Sequence, residues 1–243
     1  MQILETKYLT KRFAGVEAVN NFSISIEKGK ITSIIGPNGS GKTTLINTLS
    51  GTLQIDSGMI IIRGIAFKQV KAYEMSLYGI TRTFQEVRLF EQMTILDNVL
   101  VVLTERNVFS ALFESHSEYH VKKAQEALEN VGLWEKRNRL ALNLSYGQRK
   151  LLEIARALAM NAEIYLLDEP FAGLFPEMIK VVTSIMRQLR EEKKAIILIE
   201  HNMEVIRELS DYIFVMDSGK LLAQGKPNEV LKKREIIEAY LGE

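Results

Sequence analysis

The sequence predicts an α/β core that is interrupted by a helical insert and preceded by a half-exposed antiparallel β layer. Three observations carry this reading. Short apolar runs suited to buried strands recur at Ile31–Ile35, Ile164–Leu167 and Ile196–Ile199, and each is followed by a helical pattern. Between about Arg88 and Leu158 the pattern is helical throughout, with no convincing strand. Near the start, Phe22, Ile24 and Ile26 alternate with Ser23 and Ser25, the period-two pattern of a strand with one wet face.

Taken in order, the first elements are strands at Ile3–Tyr8 and Val19–Ile26, closed by the turn pair Lys28-Gly29. Ile31–Ile35 then runs into a glycine-rich loop that opens a helix through Thr44 to Leu49, and Gly58–Arg63 is another short strand. In the insert, Thr94 with Asp97 and Ser115 with Glu118 have the spacing of N-terminal caps, and Gly132 sits where a helix ends in a left-handed residue. Leu151, Ile154, Ala155 and Leu158 form one apolar stripe, with Arg149, Lys150 and Arg156 off it. Alternation resumes with a helix from Pro176 to about Arg190, a helix from Met203 to Leu209 and a strand at Ile213–Met216. No repeat or flexible linker breaks the chain, so a single domain is expected: an α/β core at 1–87 and 159–243, with a helical subdomain at 88–158.

Composition excludes several classes. At 243 residues with 47% hydrophobic and 25% charged residues, the chain is neither collagen-like nor disordered. The strongest apolar runs, Val99–Leu103 and Ala195–Ile199, fall far short of a membrane span. Met1–Tyr8 lacks the basic-then-apolar order of a secretory signal, so a cytoplasmic location is expected. The chain has no cysteine and three histidines, which removes disulfides and thiolate chemistry and leaves little for a metal cluster. His116 and His120 have helical ligand spacing but no third ligand nearby and read as surface residues, and Trp134 reads as packing. A net charge of +1 offers no footprint for nucleic acid.

Chemistry concentrates in the loop Gly36-Pro37-Asn38-Gly39-Ser40-Gly41-Lys42-Thr43-Thr44, which fits G-x-x-x-x-G-K-[ST] between a predicted strand and a predicted helix. Its glycines allow backbone N–H groups to turn inward around a phosphate, and the helix behind adds unpaired N–H groups and a positive dipole end. Lys42 supplies a charge for β- and γ-phosphates, and Thr43 a hydroxyl for Mg²⁺. The bland alternative is a glycine-rich turn with a solvated lysine. Ile164–Asp168 is an apolar strand ending in two carboxylates, Asp168 and Glu169, at the strand's carboxyl end, where ligands of α/β sheets collect. Asp168 is expected to hold Mg²⁺ through water, and Glu169 to orient or deprotonate an attacking water. Alone, the pair reads equally well as solvated charge or a helix cap. Together these elements make the expected fold a P-loop NTPase core with an N-terminal antiparallel layer and an inserted helical subdomain, binding a nucleoside triphosphate with Mg²⁺; the loop alone fits kinases, GTPases, helicases and transport ATPases.

The segment Leu144-Ser145-Tyr146-Gly147-Gln148 selects among nucleotide enzymes. It lies before Asp168, at the entrance to the amphipathic helix, and resembles the Leu-Ser-Gly-Gly-Gln signature of ABC-type ATPases, with Tyr146 at the third position. The resemblance covers nearly the whole chain. It implies that Phe13 stacks on adenine, with a buried core phenylalanine as the alternative. It implies that Gln85, in Arg82-Thr-Phe-Gln-Glu86, contacts Mg²⁺ or the attacking water from a loop joining core and insert. His201 resembles the family's switch histidine, able to bond a γ-phosphate and hold Glu169, with a structural histidine as the competing account. Where relatives carry Ser-Ala-Leu-Asp, this chain has Ala172–Phe175, so Phe175 replaces an aspartate that communicates across the family's dimer.

Because the phosphate loop and signature lie in different subdomains, the resemblance implies a dimer, homodimeric or formed with a paralogous ATPase, in which Ser145 and Gly147 of one chain meet ATP on the other. It also implies integral membrane permease subunits, an extracytoplasmic binding protein acting indirectly, and a peripheral position on the inner face of the cell membrane. Gly79–Phe90, Leu144–Gln148, Ala172–Leu174 and Ile236–Gly242 look like the branched-chain amino-acid uptake branch. Urea-uptake and lipopolysaccharide-export cassettes share much of this pattern. A soluble ABC-type ATPase and a small P-loop kinase are the other readings, and the kinase leaves Leu144–Gln148 and His201 without roles.

Overall fold

A long antiparallel hairpin of β1 (Gln2–Phe13) and β2 (Val16–Glu27) opens the chain in the computed structural model, which describes residues 1–103, 118–233 and Ile236. With β4 (Ser57–Ile62) and β5 (Ile65–Phe67) it forms a four-stranded antiparallel sheet in the order β2-β1-β4-β5. The period-two pattern works as expected: Phe22, Ile24 and Ile26 are buried, whereas Ser23 is exposed.

A second sheet contains β3 (Ile31–Ile35), β6 (Ile80–Arg82), β7 (Ile164–Asp168), β8 (Ala195–Ile199), β9 (Tyr212–Asp217) and β10 (Lys220–Gly225). Its order is β10-β9-β3-β8-β7-β6, parallel from β9 to β6 and antiparallel only at β10. Every residue of β3, β7 and β8 is buried, including Thr32, Ser33 and Asp168, which explains why these strands read as largely apolar runs without a polar face. The short strands β5, β6 and β10 have no such pattern, and pairing with their neighbours creates them.

Helix α1 (Lys42–Leu49) follows β3 and buries Leu45, Ile46 and Leu49 in a core shared with Leu4, Phe22 and Ile26 of the first sheet and Ile34, Leu166 and Ile197 of the second. Each of these side chains is essentially removed from water, so the core is dry and close-packed. On the other side, Ile35, Ile213 and Val215 pack with Ile206, Val230 and Leu231.

The helical stretch contains α2 (Ile95–Leu103), α3 (Glu118–Asn130) and α4 (Tyr146–Ala159), followed beyond β7 by α5 (Pro176–Glu191). Thr94 caps α2: its Oγ1 accepts from the Asp97 N–H at 3.0 Å. Gly132, at φ 69°, ends α3, and the Leu133 N–H reaches back to the Leu128 carbonyl at 2.8 Å. The expected cap at Ser115, His116 and the stretch 237–242 lie outside the described residues. The chain divides into two compact units: residues 1–82, 163–169 and 186–243 form one, and 83–162 and 170–185 the other. In α4, Leu151, Ile154 and Ala155 are buried as their spacing predicts, but so are Lys150 and Glu153, on a face that the apolar stripe does not include.

Leu198 lies fully buried at the middle of the parallel sheet. Leu198→Ala is expected to cost about 2–5 kcal/mol, read as a lower urea midpoint at unchanged slope.

Candidate active site

Parallel register brings three loops to one edge of the second sheet. Ile34 of β3 and Asp168 of β7 both pair with Ile199 of β8. The residues that follow, Gly36 onward, Glu169, and Glu200 with His201, therefore leave the sheet side by side at its carboxyl edge.

Backbone shape governs the first loop. Gly41 is the N-cap of α1 at φ 104°, and a Cβ there would lie 2.1 Å from the Ala18 carbonyl oxygen. At Gly36 a Cβ would come 2.0 Å from the Met216 carbonyl oxygen. Neither position has room for a side chain, so the motif's glycines answer both to conformation and to neighbouring backbone. Asn38 and Gly39 are exposed at the turn, Pro37 and Thr44 are half-buried, and Ser40 is buried. Lys42 is only 6% exposed; its Nζ donates to the Gly36 carbonyl at 2.8 Å and the Pro37 carbonyl at 2.9 Å, with Ser40 Oγ at 3.4 Å. Burial pushes the Lys42 ammonium below the usual lysine range, opposed by the charges of Glu169 and Asp168. Thr43, beside it, is exposed. Phe13 stands at the tip of the β1–β2 hairpin, 46% exposed, with Lys11 Nζ 5.5 Å from its ring centroid, so the reading of Phe13 as a core residue does not hold.

Asp168 is almost fully buried and forms an ion pair at 3.1 Å with Arg82 Nη2, whose side chain is 6% exposed. Arg82 also donates through Nη1 to Asn47 Oδ1 at 2.7 Å and Ser50 Oγ at 2.6 Å, both at the far end of α1. One guanidinium thus ties the helix behind the phosphate loop to the carboxylate that ends β7. Glu169 takes φ 47°, a left-handed conformation unusual for a side-chain-bearing residue and costing about 1–3 kcal/mol. Its N–H remains bonded to the Ile199 carbonyl at 2.9 Å, while Oε1 lies 3.0 Å from His201 Nε2. The buried Glu200 accepts from the N–H groups of His201 at 2.9 Å and Asn202 at 3.2 Å, and Asn202 caps α6 (Met203–Leu209) through Oδ1. The donor set, a backbone cradle, one buried ammonium, a threonine hydroxyl and a carboxylate, suits a polyphosphate with a hard divalent cation.

The second unit carries the other predicted residues. Ser145 caps α4 in a complete capping box: its Oγ accepts from Gln148 N–H at 3.3 Å and its own N–H donates to Gln148 Oε1 at 3.2 Å. Gln148 therefore has a structural role in holding Ser145 at the helix entrance. Leu144 is buried just ahead. Gly147 faces Met178, whose sulfur would lie 2.6 Å from an added Cβ, and Tyr146 lies over Gly173, with Cε1 2.8 Å from where a Cβ would stand. Tyr146 is nonetheless 52% exposed, Phe175 is 71% exposed, and Gln85 is exposed.

A family model described as ABC transporter matches residues 19–172. The chain belongs to that family. The cassette is 39% identical over 250 residues to the high-affinity branched-chain amino acid transport ATP-binding protein LivG of Salmonella typhimurium strain LT2, covering 99% of this chain and 98% of LivG. It is also 39% identical over 250 residues to BraF of Pseudomonas aeruginosa strain PAO1, with the same coverage. Among solved structures, it superposes on a nucleotide-free ATP-binding cassette from an ABC transporter with a TM-score of 0.89 at 34% identity, over the whole of both chains. It superposes on the ADP conformation of MJ1267, an ATP-binding cassette of an ABC transporter, with a TM-score of 0.88 at 35% identity, again over both whole chains. This chain is thus an ABC ATPase, a nucleotide-binding subunit of the kind that hydrolyses ATP.

Four residues that hold the cassette's loops escaped sequence reading: Arg82, Lys150, Glu153 and Glu200. Arg82 opens the Arg82-Thr-Phe-Gln-Glu86 segment, but nothing in a sequence reveals that an arginine is buried. Arg82→Met, of similar length, would strip the guanidinium from beside buried Asp168; unfolding in urea should then show a loss of about 3–5 kcal/mol.

Proposed function

We propose that this cassette powers a membrane importer of branched-chain amino acids. The observation that carries the ATPase part is the gathering of the phosphate loop, Asp168, Glu169 and His201 at one sheet edge. The cargo follows from LivG and BraF, whose names specify branched-chain amino acid transport and which match this chain along almost its full length.

In the proposed mechanism, backbone N–H groups of the loop from Asn38 to Thr44 and the Lys42 ammonium bind the ATP phosphates, and Phe13 stacks on adenine. Thr43, Asp168 and Gln85 would hold Mg²⁺, which supplies positive charge to the β- and γ-phosphate oxygens when bound. Glu169 orients water for attack on the γ-phosphorus and takes its proton, as the bond to the ADP oxygen breaks. His201, in reach of Glu169 Oε1, fixes that carboxylate's direction. Leu144–Gln148 acts on the nucleotide of a second cassette, so that ATP closes the pair and hydrolysis opens it. Dimeric relatives support this step, among them MJ0796, with a TM-score of 0.81 at 25% identity. The second cassette is another copy of this chain or a paralogue. Among the described residues no helix is long and apolar enough to cross a membrane. The motion is therefore delivered to separate permease subunits from the cytoplasmic face, with an extracytoplasmic binding protein presenting the cargo.

Glu169→Gln should retain ATP binding yet hydrolyse roughly a hundred- to ten-thousandfold more slowly, accumulating a closed dimer on size-exclusion chromatography. Turnover close to the parent's would remove Glu169 as the base. Lys42→Ala should instead lower ATP affinity in a binding titration, because its phosphate contact exists before chemistry begins. For the transport assignment, the tagged cassette is purified from gently solubilised membranes of its host. Recovery with multi-span permeases, and leucine uptake into vesicles driven by ATP, are the expected results; a preparation free of membrane protein would refute it.

A further inference from the structure

Helix α4 carries a polar face whose side chains end on main-chain atoms of the loop that bears Gln85. Lys150 is 1% exposed, and its Nζ donates to the carbonyls of Phe84 at 3.1 Å and Gln85 at 3.0 Å. One turn further, Glu153 is 5% exposed, and its Oε1 accepts from the Phe84 N–H at 2.9 Å. After another three residues Arg156 donates to the Arg88 carbonyl. The loop closes on itself above this face, with the Arg88 guanidinium 4.2 Å from the Phe84 ring centroid. Residues 150, 153 and 156 recur at the spacing that keeps side chains on one side of a helix.

Burying an ammonium and a carboxylate in a helix is costly, and apolar side chains of similar volume would pack there at less expense in free energy. Glu153 shows that cost: burial pushes its carboxyl above the usual glutamate range, opposed first by the Phe84 N–H. What the polar pair supplies and an apolar pair cannot is a fixed backbone path for residues 84–88. The Phe84 N–H, which donates to Glu153, and the Phe84 carbonyl, which accepts from Lys150, flank the Cα of Phe84, and the Gln85 carbonyl, which also accepts from Lys150, follows the Cα of Gln85, whose side chain is exposed. The same helix begins at Ser145, about five residues and about 8 Å of helix from Lys150.

We propose that Lys150 and Glu153 are positioning residues for Gln85, so that α4 sets both the signature at its entrance and the direction of the Gln85 amide. The proposal rests on Gln85 belonging to the hydrolytic site, and its test separates the two claims. Steady-state ATPase kinetics are measured on the 243-residue chain and on Lys150→Met, Lys150→Arg, Gln85→Ala and the double variant Lys150→Met with Gln85→Ala. Lys150→Met is expected to lower kcat roughly ten- to hundredfold, the effect of misplacing a site group, with KM for ATP almost unchanged. Lys150→Arg, which keeps donors for both carbonyls, should recover most of that loss. In the Gln85→Ala background Lys150→Met should cause no further fall, because both changes remove one function.

Multiplying losses in the double variant would overturn the proposal, as would a normal kcat in Lys150→Met alongside an impaired Gln85→Ala. If Gln85→Ala turns over normally, the assignment of Gln85 to the site fails, and the proposal fails with it. Should Lys150→Met not fold, Lys150→Gln, which keeps a shorter donor, replaces it with the same expected pattern. Hydrogen exchange at the Phe84 amide gives an independent readout: it should quicken in Glu153→Leu, while amides of β3 and β8 keep their protection.

Discussion

Parallel hydrogen bonding among β3, β8 and β7 is the constraint from which the candidate site follows, because it fixes where three separate stretches of chain leave the sheet. Ile34 and Asp168 share Ile199 as their register partner. The phosphate loop, Glu169 and His201 consequently emerge within reach of one another, although they lie far apart in sequence. A shift of one residue in β7 or β8 would move Asp168 or the residues that lead into His201 to the opposite face, and one in β3 would displace the start of the phosphate loop. Full burial of these strands on both sides protects the register.

Onto that edge the molecule concentrates charge that is not left to solvent. Lys42 is held by carbonyls of its own loop, and Asp168 by Arg82, which also fastens the end of α1. Such an arrangement keeps these charged groups solvated by the protein itself, at the edge where phosphate would bind. Glu169 adds a strained backbone that sends its carboxylate to His201 instead of along the line of β7. The strain is sustained because its N–H stays bonded to β8.

Within the helical unit the same logic appears in reverse: a buried polar face of α4 organises loop backbone and not ligand. Lys150 and Glu153 serve the loop at 84–88, while Gln148 closes the cap on Ser145. The polar ends of these side chains do what apolar packing cannot, namely specify the direction of individual carbonyls and N–H groups.

The sequence by itself determined the fold class and named the chemistry-bearing residues, because strand burial and phosphate binding both leave local marks. A short, mostly apolar run such as Ile31–Ile35 reads as a doubly covered strand or a short buried helix, and Gly41-Lys42-Thr43 behind it resolves the choice. Thr94 and Gly132 likewise announced their caps through spacing alone. What only the tertiary structure decided is non-local. Strands β5, β6 and β10 exist through their partners, Arg82 is buried because Asp168, Asn47 and Ser50 converge on it, and Lys150, which reads as an off-stripe surface lysine, is buried because the loop at 84–88 folds onto it. A charged side chain looks the same in sequence whether water or a distant carbonyl solvates it, and that difference is made when the chain folds.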